Sequence, residues 1–344
     1  MKKFKKIIII TLIIVFSTGV IVYSDKVSES IFKSINICLE VIIPSTFIFM
    51  VLSSYILSSG LYESLFRPLD KPLQKLIKAD NHIISVFLLS LIGGYPVGFK
   101  LLKDLIAENK NYSAIAPQTA SFCYCMSPTF AVTMIGLGVF NSIEIGMIVY
   151  VSNIISNLII AIIYTNVTDL KFDIKMKNNK SGLIQAINSS SNTLLRICSV
   201  IVVFNIGITA VNSFLGVFDL TIPLFVNASL EISNILNSDS VSIDYLPIIS
   251  MLSSTGGVCV LFQCYSIIQG SFSIKRFLIL RIPAVVLSGI ITCIIMKFYE
   301  ISIPSSSFNN NYLFEYNTKN GVVFLLMIMC IILLQKNEKI FKKG

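Results

Sequence analysis

The chain is a series of apolar runs, nearly all long enough to cross a bilayer and separated by polar gaps. A spanning helix needs about 17–25 mostly apolar residues, because the hydrocarbon layer is about 30 Å thick. The runs are Ile7–Tyr23, Ile35–Leu57, Ile83–Ile106, Ala114–Leu137, Ile143–Tyr164, Leu194–Leu215, Leu246–Ile268, Phe277–Phe298 and Gly321–Leu334. No gap between them is long enough to hold a soluble domain. Hydrophobic residues make up 54% of the 344 and charged ones only 13%, with a mean hydropathy of +0.81. A soluble domain of this size carries far more charge. The fold class expected is therefore an all-α polytopic membrane protein.

The net charge of +9 does not read as a nucleic-acid footprint. Its cations sit in short loops beside apolar runs, where they set topology. Eight cysteines lie in or beside apolar segments, with no CxxC pair, and His82 is the one histidine. Neither a metal site nor a disulfide framework is expected from that material, and the thiols read as packing groups. No P-loop, nucleophile elbow or HExxH string is present. The chain reads as no enzyme, with no cofactor, and any transport would be passive, ion-driven or powered by another protein. Residues 1–23 read as an uncleaved first span, since the run is long for a signal peptide and no small-x-small site precedes Ser24-Asp25-Lys26.

One run resists the simple pattern. Within Ile83–Ile106 stands Gly93-Gly94-Tyr95-Pro96, which no helix runs through comfortably. Lys2, Lys3, Lys5 and Lys6 place the N-terminus on the cytoplasmic side, and two spans bring Arg67, Lys71, Lys75 and Lys78 there too. If the broken run turns back at Gly93-Gly94, Lys171, Lys175, Lys177 and Lys180 also fall inside. Residues 217–245, with Asp219, Glu231, Asp239 and Asp244 and no Lys or Arg, then fall outside. The charges thus favour a re-entrant hairpin, whose irregular backbone must be covered by protein or water.

The pattern recurs at a fixed offset. Gly256-Gly257 follows Gly93-Gly94 by 256 − 93 = 163 residues, and the same offset carries Ile35 to Cys198, Ala114 to Phe277, Lys100 to Gln263 and Gln118 to Arg281. The halves start with spans of opposite direction. The expectation is inverted repeats with two re-entrant, broken-helix hairpins, a transporter arrangement that places substrate where the turns meet. The expected boundaries are an N-terminal anchor over 1–30, a first repeat over 31–165, a basic linker over 166–190, a second repeat over 191–335 and a basic tail over 336–344. Two hairpins leave the C-terminus outside, against the charge rule. Letting the second broken run cross would repair that and bring Lys275-Arg276 inside, at the cost of the symmetry. The reading keeps the symmetry.

The candidate site residues follow from that frame. Gly93, Gly94, Tyr95, Pro96, Gly256 and Gly257 shape the turns. A helix restarting at Pro96 presents free N–H groups and a positive dipole end, which favour an anion, and Lys100 lies one turn on. Arg281 is an intramembrane cation, a functional candidate by default. Gln118 and Gln263 are polar groups in mid-segment, suited to a ligand or to helix contacts. Ser127-Pro128-Thr129 interrupts its span and either frees carbonyls for a ligand or simply kinks the helix. Glu40 is the candidate coupling group.

GGYPVGFK (Gly93–Lys100), SPTF (Ser127–Phe130), LEISN (Leu230–Asn234), GGVCVLFQ (Gly256–Gln263) and Arg281, in that order, resemble the YlbJ-type sporulation integral membrane proteins of the nucleoside-recognition, or Gate-domain, superfamily. The resemblance covers about residues 30 to 335. It implies a fold similar to the concentrative nucleoside transporters, with 61–80 and 224–238 as interfacial helices. It further implies a place in the cell membrane or outer forespore membrane, and passage of dipicolinic acid, a small aromatic dianion, towards the forespore. Membrane lipid and other sporulation membrane proteins are the partners it implies. The chain departs from that family in carrying Ser127 where an asparagine is usual. A nucleoside or other neutral-solute transporter on the same fold, and a non-transporting protein of spore-envelope assembly, remain as alternatives.

Overall fold

The structure, a computed structural model, describes residues 10, 13–14, 16–167, 182–218, 223–237 and 241–298, apart from the side chains of 40–41, 45, 67–71 and 236–237. The N-terminal lysines, the lysines of the 166–190 linker, Asp219, Asp239, the run Gly321–Leu334 and the basic tail lie outside the described residues, as does the side chain of Glu40. The described chain is helical, and five helices are long and apolar enough to cross a membrane. They are Ser24–Ser58, Ile143–Val167, Leu183–Gly216, Ile243–Ile268 and Ile274–Phe298. This is the helix set of a polytopic membrane protein.

The first of them starts well before the apolar run that announced it. Helix α1 (Ser24–Ile37) takes in the polar stretch SDKVSESIFKS and continues through a π-helical segment, Cys38–Phe47, into α2 (Ile48–Ser58). Once nucleated, a helix gains a hydrogen bond for each residue added, so it extends past the apolar boundary. Pro44, which has no N–H to donate, sits in the π-helical stretch, where the widened turn accommodates it. Ser30 and Ser34 of α1 bond Thr209 and Asn205. The chain just before α1 lies on the same partner in the opposite sense, with Phe16 against Gly207 and Gly19 against Ala210. It therefore reverses at Tyr23.

The connector read as one interfacial helix over 61–80 is two short helices, α3 (Tyr62–Leu65) and α4 (Arg67–Leu76), with Pro68 in the first turn of α4. The hairpin follows. Asp80 caps α5 (Asn81–Gly93), its Oδ1 accepting from the Ile83 N–H at 2.8 Å. Gly94 makes the turn at φ 85° and ψ −175°, a region open essentially to glycine alone. Helix α6 (Tyr95–Glu108) then starts with Pro96 in its first turn, where the missing N–H costs nothing. The arms pack on each other: a Cβ on Gly98 would lie 2.9 Å from Ser90 Cβ. The first broken segment folds back.

Helix α7 (Tyr112–Cys123) unwinds over Tyr124–Ser127 and restarts because Ser127 caps the next turn, accepting from the Phe130 N–H at 3.2 Å. A π-helical stretch, Phe130–Leu137, and the single turn α8 (Gly138–Phe140) reach the left-handed Asn141. Helix α9 (Ile143–Val167) returns along this path, with Gly136 and Gly146 in close approach. Helix α10 (Leu183–Gly216) again begins ahead of its apolar run. Three contacts define one end of the molecule, the mouth of the hairpin: Tyr112 Oη to Asp80 (2.7 Å), the Lys78 N–H to Thr165 Oγ1 (3.2 Å) and Ser113 Oγ to the Ser271 carbonyl (2.8 Å).

The second broken segment is arranged differently. Helix α12 (Leu246–Thr255) is joined to α13 (Gly257–Ile268) through Gly256 and Gly257, both at positive φ. (Helix α11, Leu224–Leu230, precedes them in the chain.) Along α14 (Ile274–Phe298), Ser250 bonds Ser288 and Ser254 bonds Arg281, so α12 descends antiparallel to it. Ser271, just past α13, lies at the hairpin mouth. The segment therefore runs towards the hairpin mouth, and Lys275 and Arg276 follow at that end. The first broken segment thus folds back on itself, while the two helices of the second run on from one end of the described bundle towards the other. A glycine pair interrupts a helix, but neighbouring helices decide whether the chain reverses.

The hairpin mouth carries a pH-sensitive contact. His82 Nε2 lies 2.8 Å from Tyr62 Oη and its Nδ1 3.9 Å from Asp80, with Glu63 bonded to Tyr62. Burial lowers the His82 pKa below the ordinary imidazole value, and burial also raises that of Asp80. The native state thus resists protonating His82 where the unfolded chain accepts the proton. That contribution is present above about pH 6.5 and lost as pH falls below it. Asp80 contributes in the opposite sense, losing stability as pH rises above the ordinary carboxyl range. Acidification from about pH 7.5 to 5.5 should lower the wild-type melting temperature more than that of His82→Gln, as followed by circular dichroism. Equal slopes would exclude His82 as the source.

Candidate functional site

Three interruptions of helical backbone meet in the core: the turn at Gly94, the unwound Tyr124–Ser127 and the break at Gly256-Gly257. Their contact is close. A Cβ on Gly94 would lie 3.1 Å from Ser127 Cβ, and one on Gly256 would lie 2.7 Å from Tyr124 Oη. The Tyr95 and Tyr124 rings pack with centroids 4.5 Å apart. Irregular backbone at this depth must satisfy its polar groups within the protein.

Arg281 supplies much of that satisfaction. It is 3% exposed, and its guanidinium lies 5.1 Å from the centroid of the Tyr124 ring. Nη1 donates to the Ser121 carbonyl at 2.6 Å and to Asn157 Oδ1 at 2.5 Å. Nη2 donates to the carbonyl and hydroxyl of Ser254, at 2.9 and 2.8 Å. Nε is buried without a partner. Ser121 and Ser254 belong to the last turns of α7 and α12, where carbonyls have no partner within the helix and the dipole end is negative. Two helix C-termini thus converge on one cation. The ion pairs among the described residues are His82–Asp80 and Lys100–Asp104, so no carboxylate there lies within ion-pair distance of Arg281.

The end of α12 is held at three successive carbonyls. Tyr95 Oη donates to that of Ser253, Arg281 to that of Ser254, and Tyr124 Oη to that of Thr255 at 2.7 Å. The hairpin, α14 and the unwound segment therefore each grip the same helix end. Behind Arg281, Asn157 donates to Asn153 Oδ1 at 3.1 Å, and Asn153 Oδ1 also accepts from the Met126 N–H. Thr119 Oγ1, Asn153 Nδ2 and Ser253 Oγ are buried without partners.

Of the residues picked from the sequence, Gly94, Tyr95, Ser127, Gly256 and Arg281 meet here. Gly93 and Pro96 shape the turn, and a Cβ on Gly93 would collide with Val97. Lys100 is 1% exposed but engaged elsewhere, with Ser54 Oγ at 2.5 Å and Asp104 Oδ2 at 2.7 Å. With its amide turned so that oxygen faces donor, Gln118 accepts from Arg276 at 2.9 Å, at the start of α14. Gln263 donates to Cys259 Sγ at 3.5 Å, and Gly257 faces the carbonyls of Ser229 and Leu230. Lys100, Gln118 and Gln263 share none of these bonding partners with Arg281. The sequence reading passed over Tyr124, Ser254, Asn153 and Asn157. The last two had a signal, being amides four residues apart and so on one face of an apolar span. Tyr124 and Ser254 had none, because only the crossing of α7 and α12 brings them to Arg281.

No family model matches the chain, and no curated protein or solved structure matches it.

Proposed function

We propose that this chain is a membrane transporter for a small organic anion, dipicolinate by the resemblance, acting at the forespore membrane of a sporulating cell. The observation that carries the reading is a buried guanidinium, without a carboxylate partner among the described residues, at the meeting point of three broken helices. Interrupted helices at a shared centre are how secondary transporters build substrate sites. A carboxylate of the substrate would displace Asn157 or Ser254 from Arg281 in a charge-assisted pair. That exchange would release the grip on the end of α12 and so link occupancy to opening. The hairpin mouth is read as the cytoplasmic end, since Lys78, Lys110, Lys275 and Arg276 gather there. Gly93-Gly94 and Gly256-Gly257 are read as relics of one duplication, of which only the first copy still folds back.

A second reading, transport of a nucleoside or another neutral solute, is favoured by a separate observation. Four of the five guanidinium donors are already held by neutral protein groups, and Thr119, Asn153 and Ser253 keep unpartnered polar atoms nearby.

Uptake into liposomes holding the purified protein separates the two, with radiolabelled dipicolinate and uridine assayed in parallel. Dipicolinate uptake without uridine uptake is the expected result. Uridine alone would transfer the site to the neutral class, and uptake of neither would refute both.

A further inference from the structure

The segment before the second break holds a carboxylate that the site above does not use. Helix α11 (Leu224–Leu230) ends at Glu231, whose backbone is extended, and a 3₁₀ turn, Ile232–Asn237, follows. The sequence reading made this one interfacial helix. Instead it dips into the core, with Ala228, Ile232 and Ile235 buried and Gly257 packed on the backbone of residues 229–232.

Glu231 Oε1 accepts from Ser233 Oγ at 3.1 Å. The residue as a whole is partly accessible, yet its Oε2 is sealed from solvent and has no bonding partner. Its neighbours are otherwise neutral: Asn227 and Asn234, bonded to each other from either side, and Cys259 of α13, whose thiol hydrogen-bonds the carboxylate and also contacts Gln263. Cys259 is the titratable group facing it, and Cys38 and Cys198 lie beyond that thiol. Among the described residues no Lys, Arg or His is within ion-pair distance. An enclosed carboxylate with an unmatched oxygen is costly to keep ionised, and a bound proton removes the charge. Burial pushes the Glu231 pKa above the ordinary carboxyl value.

We propose that Glu231 is a proton-binding site of this chain, coupling proton movement to the passage of the solute. This rests on the transporter reading. The proton adds to the Oε2 lone pair on one side of the membrane, leaving a neutral carboxyl, and departs to water on the other. Because Glu231 stands against Gly257, its charge state acts directly on the break whose other face is gripped by Tyr95, Arg281 and Tyr124. The coupling group named from the sequence, Glu40, has no described side chain to compare.

Two experiments test this. In the first, the purified full chain is treated with a hydrophobic carbodiimide, which attacks protonated buried carboxyls, and the adducts are mapped by mass spectrometry. An adduct at Glu231 whose rate of formation falls as pH rises is expected. No adduct there at any pH overturns the proposal, even if the chain moves no solute and even if a variant fails to fold. In the second, wild type and Glu231→Gln are compared in liposomes with dipicolinate as the probe. The variant should lose accumulation driven by an acid gradient and keep dipicolinate-for-dipicolinate exchange. Loss of both would make Glu231 a substrate contact, and loss of neither would leave it idle. Accumulation driven by sodium instead of acid would exclude the proton. Each of these three outcomes overturns the proposal.

Discussion

Arg281→Leu should be among the most destabilising single substitutions in the described chain. It removes the donors of the Ser121 carbonyl, Asn157 Oδ1 and both acceptors of Ser254, all in a sealed site. A buried acceptor left unpaired costs about 1–3 kcal/mol. Relief from burying the guanidinium offsets part of this, so a net loss of about 3 kcal/mol is expected. Arg281→Lys keeps the charge but not the planar fork that reaches α7, α9 and α12 together. It should fall between wild type and Leu in melting temperature, followed by circular dichroism in detergent. A Leu variant that melts with wild type would show that the helix ends do not depend on the cation. The same measurement bears on function, because a Lys variant that folds but takes up no dipicolinate would assign the fork to substrate.

Gly94→Ala should have the next largest effect. Its backbone angles, φ 85° and ψ −175°, are barely available to a residue with a side chain. Forcing alanine into them costs about 1–3 kcal/mol. The added methyl would also stand 3.1 Å from Ser127 Cβ, tighter than ordinary contact. The expected result is a lowered melting temperature together with lost uptake, since the turn cannot relax without moving the unwound segment beside it. Gly216→Ala is the control, because a Cβ there meets nothing within 4 Å. It should melt with wild type or slightly above. Equal behaviour of the two variants would mean that the Gly94 turn is not a tight junction.

The elements that were legible in the sequence share one property: their signal is local. Gly94 and Pro96 mark the hairpin turn because backbone sterics restrict what the residues around them can do. Arg281 stands out because a cation in an apolar run needs a reason. Helix starts were less legible. Both α1 and α10 extend beyond their apolar runs into polar sequence, since helical hydrogen bonding does not end where hydrophobicity ends. Lys100 was a fair candidate from spacing, but Asp104, four residues on and so on the same helix face, was an available signal that it would be paired.

The sequence by itself determined that this chain has the helices of a membrane protein, where two of its glycine breaks fall, and that Arg281 is a cation in an apolar run. Run length against bilayer thickness, glycine and proline sterics and the cost of burying charge are each read within one segment. Only the tertiary structure decided that Gly93-Gly94 reverses the chain while Gly256-Gly257 lets it pass. It alone brought Tyr95, Tyr124 and Arg281 to three successive carbonyls of α12, and set Glu231 against the second break. A helix interruption frees backbone groups in the same way in both halves. Which helix, from elsewhere in the chain, arrives to satisfy them is a matter of packing, and packing is what fixes the direction the chain then takes.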